Sequence, residues 1–215
     1  MLLENEYYKN ALKLKDGEPL TKRFIEENDI YNYQDITDPE KSNYYKEQLA
    51  KMYGLDVNAS DINEQLKNKK IVVPKETSRL YQYAKNSETL EKWILDNYDK
   101  IQKGEIYDDR ITFPLKWNQV ANSQNRGMYT TIHNANMKNM KVNPDGSISG
   151  RLVDPYNFEK WQYDNSFNLK NIITHINNAA YKQQKANKLE PYFIDMPISI
   201  SKDEFNKIKT KYNKK

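Results

Sequence analysis

Apolar residues in the first hundred positions recur at helical spacing. In "NEYYKNALKLK", Tyr8 and Leu12 share one side and Asp16-Gly17 ends the run. "LTKRFIEENDIYNY" follows Pro19, with Leu20, Phe24 and Ile25 on one side. "TDPEKSNYYKEQLAKMYG" carries the fullest set of helix signals. Asp38 suits the N-cap, Pro39 the first helical position and Gly54 the C-terminal stop, while Tyr45, Leu49 and Met52 face inward at i, i+4 and i+7. "SDINEQLKNKK" and "SRLYQYAKNSETLEKWILDNYDKIQKG" predict further helices, the last with a stripe of Leu90, Trp93, Ile94 and Tyr98.

Near Gly104 the period shortens to two. "RITFPLKW" (Arg110 to Trp117) alternates, and Pro114 makes it an edge strand or a loop. "RGMYTTIHNANM" reads as a strand with Met128, Thr130 and Ile132 on one face and Tyr129, Thr131 and His133 on the other. Met137 to Val142 and Ser147 to Asp154 flank Asn143-Pro144-Asp145-Gly146, a type I turn signal, and so predict a hairpin. "NLKNIITHINNAAYKQQKAN" puts Leu169, Ile172, Ile173, Ile176 and Ala180 on one helical stripe. "PYFIDMPISI" alternates Tyr192, Ile194, Met196, Ile198 and Ile200 on one strand face. The expected fold is α+β: a helical N-terminal half packed on a C-terminal antiparallel sheet of order β-β-β-α-β. The segments are 1–103, mainly helical; 104–201, α+β; and 202–215, a lysine-rich tail. No repeat of solenoid period is present, and no Gly/Ser/Pro linker separates the halves.

Composition changes this picture in a few places. The 215 residues are 37% hydrophobic and 30% charged, but 17 Tyr, 6 Phe and 3 Trp argue for a folded, tyrosine-rich core instead of disorder. The absence of cysteine excludes disulfides, thiolate nucleophiles and Cys-ligated metals, and with only His133 and His175 a multi-histidine metal site is not expected. "MLLENEYYKN" lacks the basic flank and apolar run of a signal peptide, and no apolar stretch is long enough to span a bilayer. Secretion, or delivery into a target cell, is then expected as part of a larger polypeptide. Residues 1–100 hold 16 Lys+Arg against 19 Asp+Glu, and residues 101–215 hold 18 against 11. Much of that basic excess is the lysine tail, read as solvated. Lysine outnumbers arginine and no docking motif appears, so there is no strong nucleic-acid signal.

The candidate chemistry gathers at one strand end. In "SISGRLVDPYNF", Asp154 continues the inward register of Ile148, Gly150 and Leu152. A carboxyl there must find donors or shift its pKa upward. Pro155 holds Asp154 extended, and Tyr156 and Asn157 follow at a rigid corner. Two readings stand: an Asx-type turn tying off the strand, or the edge of an active site. His133 either borders a cleft or lies on a half-exposed sheet surface, and His175 marks the margin of a helix stripe. Arg151 falls on the opposite strand face from Asp154, so the two are not expected to pair.

The stretch "GMYTTIHNANMKNMKVNPDGSISGRLVDPYNF", the helix containing "NNAAYKQQ" and the strand "PYFIDMPISI" together resemble the C-terminal toxin domains of secreted bacterial polymorphic toxins of the Rhs and filamentous-haemagglutinin type. The Asp-x-Tyr corner is also similar to that of colicin M-like bacteriocins, which cleave the lipid-linked peptidoglycan precursor. The resemblance covers roughly residues 104–200. It implies a hydrolase acting on a cell-envelope phosphodiester. Asp154 would be base or Mg2+ ligand, Tyr156 would orient the phosphate and His133 would protonate the leaving group. Asn157, Arg126 and Arg151 would be substrate-binding residues, and a cognate immunity protein the partner. Asn157 stands where the pattern has its second acid, and no His-Arg pair follows, which leaves Asp164, Asp195 and His133 as other carriers of that role. The alternative is a non-enzymatic protein-binding module of a phage or mobile element, offering tyrosine-rich helices as its surface.

Overall fold

A computed structural model describes residues 5–115, 122–163 and 169–213. Lys116 and Trp117 of the expected edge strand, Asp164 and the side chain of Leu169 lie outside the described part. The elements run in the order α1 (Glu6–Asp16), α2 (Lys22–Glu27), β1 (Asn28–Asn32), α3 (Pro39–Tyr53), α4 (Ile62–Leu66), β2 (Lys70–Pro74), α5 (Arg79–Lys85) and α6 (Glu88–Gln102). They continue with β3 (Asp108–Thr112), α7 (Ser123–Ile132), β4 (Asn134–Val142), β5 (Ile148–Tyr156), α8 (Leu169–Lys185), β6 (Tyr192–Ile200) and α9 (Lys202–Asn213). The fold is mixed α and β, with a six-stranded sheet in the order β1-β2-β6-β5-β4-β3.

That order corrects the expected β-β-β-α-β arrangement. The first half is not purely helical but supplies β1 and β2, and β2 pairs with β6 in parallel through Ile71↔Phe193 and Val72↔Ile194. The sheet is therefore mixed, with β3–β4 and β4–β5 antiparallel. Residues 123–132 are helical where a strand was expected. β-Branched and aromatic residues raise strand propensity, but burial of Met128, Thr131 and Ile132 at helical spacing overrides it. Thr130 Oγ1 donates back to the Arg126 carbonyl at 2.9 Å, which satisfies its hydroxyl within the helix.

Other elements follow their local signals. Asp38 accepts from the Lys41 N–H at 2.8 Å, and Gly54 closes α3 in the left-handed conformation at φ 66°. The hairpin forms around Asn143–Gly146: the Gly146 N–H donates to the Asn143 carbonyl, and Gly146 takes φ 82°, a type I turn followed by a left-handed residue. Between Lys138 and Lys141 the register with β5 shifts. Asn139 (φ 51°) forms the irregularity, and Met140 packs over Gly150, where a Cβ would lie 3.1 Å from both the Lys138 carbonyl oxygen and the Met140 Cα.

The chain divides into two compact units, each discontinuous in sequence. Met1–Val72 with Pro155–Ile194 forms one, and Val73–Asp154 with Asp195–Lys215 the other. The first has an aromatic core in which Tyr7 meets Phe24 edge-on at 5.2 Å, Phe24 meets Tyr192 at 6.2 Å, and Tyr192 stacks on Tyr156 at 4.9 Å. The second is centred on buried Leu90, Ile94, Ile111, Ile132, Met137 and Leu152. Residues 202–213 are not a solvated tail but helix α9, which buries Phe205 and Ile208 and stacks Phe205 on Tyr98 at 4.5 Å. Among the described residues no helix is long and apolar enough to cross a membrane.

Candidate functional site

The strand β5 continues two residues past the expected end at Asp154. Its ladder with β4 runs from Val142↔Ile148 to Asn136↔Val153, so Pro155, which lacks an N–H, lies beyond it. The Asn157 N–H then donates to the Pro155 carbonyl at 2.7 Å, turning the chain at once. Asp154 is buried, at 9% exposure, as its register with Ile148 and Leu152 predicts. No described residue hydrogen-bonds or ion-pairs with its carboxyl, and burial alone pushes its pKa well above the usual carboxylate range. The Asx-turn reading therefore fails: the carboxyl accepts from no described N–H and the strand does not stop there.

His133 lies between α7 and β4 instead of mid-strand. Its Nδ1 is 2.9 Å from the Phe113 carbonyl oxygen, and its ring sits 4.1 Å from that of Tyr129. Burial lowers its pKa. The Phe113 hydrogen bond offsets part of this, and the Arg110 charge adds to it. The imidazole is neutral at pH 7, with Nδ1–H donating to Phe113 and the ring lone pair on Nε2.

The remaining predicted residues are placed differently from expectation. Tyr156 is not presented at a corner but is 3% exposed among Tyr192, Phe158 and Tyr7. Asn157 is half-buried, as is Arg126 on α7. Arg151 is engaged by Asp195 on β6: Nε donates to Oδ1 at 2.7 Å and Nη2 to Oδ2 at 2.5 Å. Asp195 is fully buried, so this bidentate pair occupies both groups. Asp195 is thus no free acid, and Arg151 meets a carboxylate where a substrate anion was expected. Asp154, His133, Arg126, Arg151 and Asp195 belong to one compact unit, while Tyr156 and Asn157 belong to the other. His175, on α8, is exposed and lies 3.4 Å from the Tyr163 hydroxyl.

The "NNAAYKQQ" stretch has a structural use that its composition does not announce. Asn178 accepts from the Trp161 N–H at 2.8 Å and donates to the Trp161 carbonyl at 3.0 Å. Gln184 treats Phe158 the same way, at 2.9 and 3.2 Å, and Asn177 donates to the Glu159 carbonyl at 2.7 Å. These amides act as a surrogate strand for the irregular segment after β5. Sequence reasoning also placed Trp93 in the buried stripe of α6. It is half-exposed, and Leu90, Ile94 and Ile101 are the buried set.

Among the described residues no three His, Asp or Glu side chains are grouped to hold a metal. No family model, no curated protein and no solved structure matches this chain.

Proposed function

We propose that this chain is an antibacterial toxin domain that hydrolyses a cell-envelope phosphodiester, with Asp154 as its general acid. The observation that carries this reading is the Asp154 carboxyl, buried, without a partner among the described residues, and with its pKa raised by that burial. A buried carboxyl whose pKa is raised is costly to a fold and useful to chemistry. The directions of the two pKa shifts, up for Asp154 and down for His133, exchange the roles first expected. Asp154, not His133, carries the proton for the leaving oxygen. Neutral His133 offers Nε2 to take a proton from the attacking water. Water oxygen bonds to phosphorus as the leaving oxygen departs with the Asp154 proton, and the imidazolium later returns a proton to Asp154 through solvent. Charge stabilisation falls to Arg126, since Arg151 is tied to Asp195. A toxin of this kind implies a cognate immunity protein and delivery within a larger polypeptide.

The binding-module alternative has weaker support, because Tyr7, Tyr8, Tyr33 and Tyr45, which would furnish its surface, are buried. The two readings separate on expression of the chain in a susceptible bacterium, either exported to the periplasm or kept in the cytoplasm. Growth arrest from the exported form alone is expected. Normal growth in both cases would favour the binding module.

A further inference from the structure

Away from Asp154, the second unit contains a groove of about 540 Å³, within the size range of small-molecule sites. One wall is the first half of α6 and the other is the end of β3 with the residues just after it. On α6, Trp93 and Asp96 are three residues apart and so adjacent on one helix face. On β3, Arg110 and Thr112 are two apart and share one strand face, with Phe113 following.

The charges of this groove select the ligand. Glu88 and Lys92 neutralise one another at 2.6 Å. Asp96 and Arg110 are both exposed, line the same groove, and form no ion pair with each other among the described residues. The groove thus offers one carboxylate, one guanidinium and no net charge. A phosphate would face the two acids and an amine the two bases. A neutral molecule carrying many hydroxyls has donors for Asp96 and acceptors for Arg110. The half-exposed Trp93 ring gives an apolar surface for the carbon face of such a molecule. The Thr112 hydroxyl donates to Asn134 Oδ1 at 2.9 Å, which leaves its oxygen as a fixed acceptor.

We infer that this groove binds a neutral saccharide of one or two rings, with Trp93 as the stacking platform and Asp96 and Arg110 as hydroxyl partners. The site shares no residue with the acid at Asp154, so it stands or fails independently of the hydrolase reading.

Titration calorimetry of the full chain against maltose, cellobiose and N,N′-diacetylchitobiose, with adenosine monophosphate as an anionic probe, tests it. At least one disaccharide is expected to bind saturably and more tightly than the nucleotide. Asp96→Asn and Trp93→Ala should each weaken that binding about tenfold or more, equivalent to about 1.4 kcal/mol. Asp96 is exposed, so its variant tests the site even if loss of the indole disturbs α6. The inference is overturned if no disaccharide binds, if the nucleotide binds more tightly, or if Asp96→Asn binds as the wild type does with an unchanged circular dichroism spectrum.

Discussion

A carboxyl buried without a donor holds its proton more tightly than one in water, and that sets how Asp154 acts on stability. Its folded pKa lies above the unfolded value of about 4. Between those two values the folded state binds more protons, so the stability linked to this group is fully present below about pH 4 and is lost as pH rises toward the folded pKa. Asp154→Asn removes the titration. Its advantage over wild type should therefore grow with pH across that window, by at most about 1.4 kcal/mol per pH unit. Urea melts of both proteins at acid and neutral pH measure this, and an advantage that shrinks with pH would contradict it. Arg151→Ala tests the opposite kind of residue. It leaves the Asp195 carboxylate buried and unpaired, and a loss of about 3–5 kcal/mol in the same melts is expected. The burial of Asp154 was legible from strand parity alone. The Arg151–Asp195 pair was not, because β5 and β6 become neighbours only through the sheet order, and 44 residues separate the two partners.

At the scale of elements, local signals succeeded where they were complete. Helix α3 had its cap, its proline, its stripe and its glycine, and formed between Pro39 and Tyr53 as those residues dictate. Asp38→Ala should cost about 1 kcal/mol by thermal denaturation, the usual value of an N-cap. The same reading failed at α2, where Lys22–Glu27 gives way to β1 inside one expected helix, and at α7, where strand-forming residues sit in a helix. Both outcomes are set by burial against distant segments, which no local window contains. The amides of α8 are a third case, since an Asn/Gln-rich face reads as solvated until the segment it clamps is known. Asn178→Ala removes the side-chain amide from the backbone N–H and carbonyl of Trp161. It should lower stability by about 1–3 kcal/mol and raise hydrogen exchange at the Trp161 amide. Unchanged exchange there would show that the clamp is dispensable.

For the whole molecule, composition and class were readable and connectivity was not. The mixed α and β character, the tyrosine-rich core and the hairpin all follow from the chain's own pattern. The parallel β2–β6 pairing, the discontinuous units and the docking of α9 depend on contacts across more than a hundred residues. The proposed activity inherits this division. The burial of Asp154 follows from register, and the upward shift of its pKa from that burial. The most direct test is growth inhibition by the exported wild-type chain compared with exported Asp154→Asn, with both shown folded by circular dichroism. If the acid exists for chemistry, the variant will be folded, no less stable than wild type at neutral pH, and harmless. A folded Asp154→Asn protein that arrests growth as strongly as wild type would contradict the assignment of Asp154 as the general acid.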